Sequence, residues 1–199
     1  MTDPGVIYVK SDSPYNTLED LLNAAKENPN TISVGLTAPN GGEGLAMRQL
    51  QEASGAQLNV VPFSSGAGNF TAVAGGFCVA GNGNVGDITT FLEEGSIKVL
   101  ATGGRERSAF LPDVPTYQES GYDVVQENSR AIVTNKGTDP AIVQYLSDCF
   151  VAAANDPEVQ EATAQMNIPL DVMGREECTE AFTEYYETVL ALWEEEPWA

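Results

Sequence analysis

Residues 111–121 read LPDVPTYQESG, and the reading of the whole chain turns on them. Pro112 and Pro115 hold φ at about −65° and push the residue before each toward extended backbone. Thr116 and Glu119 have the Thr-x-x-Glu spacing of a capping box. Gly121 supplies a residue able to take positive φ where a helix stops. The stretch predicts a stiff extended crossing that turns into a helix of one or two turns.

Before it, short apolar runs alternate with helical patterns. Residues 6–9, 31–36, 58–62, 77–80 and 97–101 read as strands. Thr17 and Asp20 form a second capping box, opening a helix to about Asn28 with Leu18, Leu21, Leu22 and Ala25 on its apolar face. Three small-residue loops separate strands from helices: TAPNGGEG at 37–44, SSGAG at 64–68 and GNGNVG at 81–86. The helices after them are expected at about 44–54, 69–74 and 87–94. This alternation predicts βαβ units and a mainly parallel sheet, hence an α/β fold. Residues 124–126 and 131–133 read as extended. After residue 137 the chain reads as nearly all helix. Val143, Leu146, Phe150 and Ala153 form one expected buried stripe. Cys178, Phe182, Tyr185, Val189 and Trp193 share a face of the last helix, at about 175–194.

The chain has 199 residues, 42% of them hydrophobic, enough for one domain or two small lobes. It carries 29 acidic and 9 basic residues, for a net charge of −20, with one local acidic run at 194–196. No basic patch is present to neutralise phosphates, which argues against nucleic acid and anionic membranes as partners. No run of ~18 apolar residues is long enough to span a bilayer. MTDPGVIYVK has neither the charged nor the apolar region of a signal peptide.

There is no histidine, so a Ser-His-Asp triad is impossible and the commonest metal ligand is missing. Asp87, Glu43 and Asp113 are isolated acids rather than a paired set. The three cysteines, Cys78, Cys149 and Cys178, have no zinc spacing. Cys149 and Cys178 fall on apolar helix faces, where buried thiols are expected; a disulfide between them stays open. No catalytic, metal or cofactor site is expected.

A ligand cleft is the remaining chemistry. Loops between strand and helix lie at the carboxyl ends of strands, where open α/β sheets bind ligands. Each helix start offers unpaired N–H groups and partial positive charge, suited to a carboxylate or phosphate. Thr37, Ser64 and Ser65 add hydroxyls. Arg130, in NSRAIVTNKG, could meet a ligand carboxylate bidentately or pair with a surface acid.

Taken in order, these segments resemble the substrate-binding proteins of tripartite tricarboxylate transporters, the Bug-type periplasmic receptors. The resemblance runs through KSDSPYNTLEDLLNAAKENPNTISVG, the loop at 37–44, VPFSSGAG at 61–68, IKVLATGGRER, LPDVPTYQESGY, Ser129–Arg130–Ala131 and NKGT at 135–138. It implies a periplasmic-binding-protein type II-like fold with one complete α/β lobe, residues 5–96, and the helix-rich returning half of another, 97–199. Family members begin about a hundred residues earlier, so only their C-terminal two-thirds is matched. The resemblance also implies capture of a small organic anion, a di- or tricarboxylate or acidic amino acid, in the periplasm or another extracytoplasmic space. Delivery to membrane permease subunits would follow. The binding groups carried over are Thr37, Ala38, Asn40, Gly41 and Gly42, then Ser64, Ser65, Gly66, Ala67 and Gly68, then Asn84 and Asp87, with Arg130 after them. A half-lobe leaves apolar faces to be covered by a homodimer partner or a separate N-terminal half. A sensing or interaction module reusing the fold is the alternative function.

Overall fold

The computed structural model describes residues 2–165, 170–195 and 197; Glu196 of the acidic run lies outside them. The chain divides into two compact units, Asp3–Asn128, and Ser129–Ala199 together with Met1–Thr2. The first therefore runs past residue 96, where the sequence reading divides the chain.

In the first unit, β1 (Thr2–Lys10), β2 (Ser33–Leu36), β3 (Asn59–Pro62), β4 (Ala80–Asn84) and β5 (Ile97–Thr102) form a sheet ordered β3-β2-β4-β1-β5, with β6 (Glu127–Ser129) also paired to β1. β2 is parallel to β3 and β4, whereas β1 is antiparallel to β4 and β5. The sheet is thus mixed rather than mainly parallel. Pairing of β1 with β5 holds residues 97–102 in this unit.

β1 shows why the sheet has helices on both faces. Its side chains alternate: Ile7 and Val9 enter one core, Val6 and Tyr8 the other, and all four are buried. The Ile7 side takes α1 (Leu18–Glu27) and α2 (Gly42–Ser54), through Leu18, Leu21, Leu22, Met47 and Leu50. Burying each such leucine stabilises by about 1.5–3 kcal/mol. The Tyr8 side takes α3 (Gly66–Ala74) and α4 (Val85–Glu93), through Phe70, Val73, Val85 and Ile88. The α1 capping box forms as expected: Asp20 N–H donates to Thr17 Oγ1 and Thr17 N–H to Asp20 Oδ2, both at 3.0 Å.

Two local expectations change. GNGNVG is not a flexible loop: Gly81–Asn84 is the end of central strand β4, and Val85 begins α4. Residues 77–79, expected in the strand, precede it. The proline stretch makes its capping box, with Glu119 N–H to Thr116 Oγ1 at 3.0 Å and Thr116 N–H to Glu119 Oε2 at 2.8 Å. The box opens a single turn, ended by Gly121 at φ 93°, rather than a regular helix. The crossing is nevertheless anchored. Thr102 N–H donates to Pro115 O at 2.9 Å and Tyr117 N–H to Thr102 O at 2.8 Å, which lays Thr116 beside β5 and Tyr117 in the core.

The second unit contains α5 (Pro140–Ala154), α6 (Pro157–Gln165) and α7 (Arg175–Glu195). Asp139 caps α5 through Ala141 N–H at 2.8 Å, with Pro140 in the first turn. The expected stripes are not buried: Val143 and Val189 are half-buried, while Leu146, Phe150, Ala153, Phe182, Tyr185 and Trp193 are exposed. Amphipathic patterning names a face that wants cover; it does not supply the cover. Cys149 is exposed and Cys178 half-buried, Cys78 is the buried thiol, and all three are free. Residues 131–133 join no strand among the described residues.

Candidate functional site

β3, β2 and β4 are neighbours and run the same way, so the segments leaving their carboxyl ends emerge along one sheet edge, that of β2 in the middle. α2, α3 and α4 all begin there. Asn69, a buried residue of α3, donates through Nδ2 to Gly35 O and to Asn82 O, each at 2.9 Å, and so ties β2 to β4. A Cβ on Gly35 would lie 2.1 Å from Asn69 Oδ1, so this tie requires glycine at 35.

The first loop closes on itself. Gly41 N–H and Gly44 N–H both donate to Ala38 O, at 3.0 and 3.1 Å. A Cβ at Gly44 would fall 1.8 Å from Pro39 O, so α2 can start this close to the loop only with glycine there. Glu43, in the first turn of α2 and 6% exposed, turns its carboxylate back on the loop. Its Oε2 accepts from Thr37 N–H at 2.6 Å and Ala38 N–H at 3.0 Å, and its Oε1 accepts the Thr37 hydroxyl at 2.9 Å. A helix N-terminus favours this negative charge. Three of the donors expected to face a ligand therefore face Glu43. Asn40, Gly41 and Gly42 stand beside them at the start of α2, where first-turn N–H groups have no intrahelical acceptor.

The second loop is more open. Ser65 caps α3, its Oγ accepting from Gly68 N–H at 3.2 Å. Ser64, Ser65, Ala67 and Gly68 are exposed and Gly66 half-buried. The first turn of α3 contains no acidic side chain. Where β4 passes directly into α4, Gly86 N–H donates to Asp3 Oδ1 at 3.2 Å, and Asn84 Nδ2 donates to Asp87 Oδ2 at 3.2 Å. Two carboxylates thus attend the start of α4. Arg130 belongs to the other unit and is exposed. That unit also has an open depression of about 410 Å³, lined by Gln144, Ser147, Asp148 and Arg175 among others, and none of the expected site residues lines it.

Beneath the edge is a polar network that sequence reasoning missed. Asn82 and Gln126 exchange amide hydrogen bonds at 2.9 and 2.8 Å, and the Tyr117 hydroxyl donates to Gln126 Oε1 at 3.1 Å. All three residues are buried. Burial raises the Tyr117 pKa above the ordinary tyrosine value, and the Glu43 charge adds to that rise. Tyr8 is raised in the same way, by burial first and Glu43 next. No short-range pattern joins positions 82, 117 and 126, nor Asp3 to Gly86, 83 residues on; Glu43, directly after the loop at 37–42, was singled out from sequence only as an isolated acid. Among the described residues no group of His, Cys, Asp and Glu is placed to hold a metal ion. None of their helices is long and apolar enough to cross a membrane.

A mixed sheet with three helix starts along one edge is an α/β lobe of the periplasmic-binding-protein type II-like fold, and solved structures share it. A TctC solute binding protein from Polaromonas aligns with a TM-score of 0.80 at 24% identity, covering 96% of this chain and 66% of that one. An R. palustris protein with adipate aligns at 0.81 and 20% identity, covering 98% and 64%. Residues 1–182 match the tripartite tricarboxylate transporter family receptor, and the chain belongs to that family. This places it among receptors and not among enzymes. The "UPF0065 protein in gbd 5'region" of Cupriavidus necator is 32% identical over 165 residues, 81% of this chain and 49% of its relative. The chain spans about half the length of the curated relatives it matches.

Proposed function

We propose that this chain is the ligand-holding portion of an extracytoplasmic receptor that captures a small organic carboxylate for a tripartite tricarboxylate-type permease. In this reading Asp3–Asn128 acts as lobe two, and Ser129–Ala199 as the returning part of lobe one. The observation that carries it is the start of α3. Ser64 and Ser65 offer hydroxyls and Gly66 and Ala67 first-turn N–H groups at the exposed edge, with Gly68 N–H tied to the Ser65 cap and no acid in that turn. Asn40, Gly41 and Gly42 form the neighbouring wall. Thr37 and Ala38 contribute by fixing that wall through Glu43, and Asn84 and Asp87 border it on the far side. The adipate held by the R. palustris relative supports a small carboxylate as the ligand class. A second copy, or a separate N-terminal half, would cover the apolar faces of α5 and α7.

The net charge of −20 does not forbid an anion, because donors at contact distance act inside a Debye length of ~8 Å while remote surface charge is screened. In isotope-labelled chain, titration with four- to six-carbon carboxylates should move the amide resonances of Gly66, Ala67 and Gly68. Ser65→Ala should weaken that binding several-fold. The reading is wrong if mono-, di- and tricarboxylates and acidic amino acids all leave those amides and the melting temperature unmoved.

A further inference from the structure

The first loop already holds a carboxylate, and it is the chain's own. Two consecutive backbone N–H groups and one hydroxyl, from Thr37 and Ala38, converge on Glu43 at 2.6, 3.0 and 2.9 Å. That is the donor set a ligand carboxylate would ask for, delivered as charge-assisted bonds. Glu43 reaches it from the first turn of α2 and is buried there. The neighbouring edge at α4 carries two more acids, Asp3 on Gly86 N–H and Asp87 beside Asn84. The start of α3 has none. Negative charge is thus built into two of the three helix starts and withheld from the third.

We propose that Glu43 is a built-in carboxylate that fills the first loop's cradle and sets the ligand class: the site takes a monocarboxylate, held by its one anionic group at residues 64–68, and rejects a dicarboxylate. The proposal rests on the receptor reading above and narrows it. A second ligand carboxylate reaching the first loop would find its donors occupied and a like charge within a few ångströms. Such a juxtaposition weakens binding by roughly tenfold or more. The far end of an accepted ligand is uncharged or cationic.

The experiment separates the cradle from the receptor reading by using two sets of probes on the full chain. Acetate is titrated into wild type, Glu43→Ala and Glu43→Gln, with the Thr37 and Ala38 amide resonances and the melting temperature as readouts. Acetate should fill the emptied cradle of Glu43→Ala saturably, moving both amides and restoring part of the lost melting temperature. It should leave those amides unmoved in wild type. Hexanoate and adipate, matched in length, are then compared. Wild type should favour hexanoate by roughly tenfold, and removal of the charge in Glu43→Ala or Glu43→Gln should narrow or reverse that ratio. Glu43→Gln keeps the shape of the side chain and decides the matter if Glu43→Ala does not fold. Equal or tighter binding of adipate by wild type overturns the proposal, as does a ratio that neither substitution changes. If neither acid binds wild type while acetate still fills Glu43→Ala, the receptor reading fails and takes the ligand class with it, leaving the cradle as a structural device.

Discussion

Gln126 joins three segments of the first unit's interior. It holds Asn82 through a reciprocal amide pair and receives the Tyr117 hydroxyl, with all three side chains cut off from water. Its backbone also closes the segment onto the sheet: Gly5 N–H donates to Gln126 O at 2.7 Å, and Gln126 N–H donates to Gly103 O at 2.8 Å. Replacing Gln126 by Leu leaves the Asn82 amide and the Tyr117 hydroxyl without this partner. Each such buried group costs about 1–3 kcal/mol, so Gln126→Leu should lower unfolding free energy in urea by roughly 2–5 kcal/mol. Asn82→Leu combined with it should cost much less than the sum of the two single changes. Simple additivity would mean that the pair is not coupled as drawn. None of this was legible beforehand, because Asn82 sits in a run that reads as a loop and Gln126 in a charge-flanked crossing. Single residues do reveal the cap chemistry: Thr17 with Asp20, and Thr116 with Glu119, act where they stand.

At the scale of the element, β4 is the instructive case. AGNGN has little intrinsic tendency to form a strand, since glycine and asparagine are depleted in sheets. It becomes a central strand because its neighbour supplies the bulk. Tyr8 lies opposite Gly81 in the register, and a Cβ on Gly81 would lie 2.3 Å from the Tyr8 ring and hydroxyl. Tyr8 in turn packs on Phe70, and Phe70 on Phe91, with centroids 4.8 Å apart in both pairs. The glycines are therefore the slot into which the aromatic layer sinks. Gly81→Ala should destabilise by about 3 kcal/mol through overpacking. Gly83→Ala, whose Cβ would stand 3.4 Å from Phe70, should be near neutral in the same thermal melts. Equal costs at the two positions would show that ring packing is not what holds β4. The strands that did read from sequence, β1 and β5 above all, are those whose own apolar side chains face both cores.

At the scale of the molecule the two units differ in kind. Every residue of the two cores lies between Val6 and Val124. The helices of the second unit bury none of their described side chains in this chain. Stability should follow that division. Brief digestion with subtilisin should cut within residues 129–199 first and leave a resistant fragment containing residues 3–128, as expected when local opening tracks buried apolar contact. First cuts in the glycine loops at 37–44 or 64–68 would contradict it. Leu146, Phe150 and Ala153 on α5, and Phe182, Tyr185 and Trp193 on α7, are exposed and recur at helical spacing within each helix, so the sequence could name these faces without naming what lies against them.

By itself the sequence determined the alternation of strand and helix, the caps, the family resemblance carried by LPDVPTYQESG and its neighbours, and the small-residue segments after which three helices begin. These are local properties, set by backbone preference and by the period of apolar residues. The tertiary structure alone decided that the sheet is mixed, that a glycine-asparagine run is a central strand, and that the proline stretch delivers Tyr117 to the core. It also decided that the donors of Thr37 and Ala38 answer to Glu43. Each of these depends on a partner tens of residues away or on a side chain turning back across a loop, and the energy that selects it exists only once those groups share a site from which water has been removed.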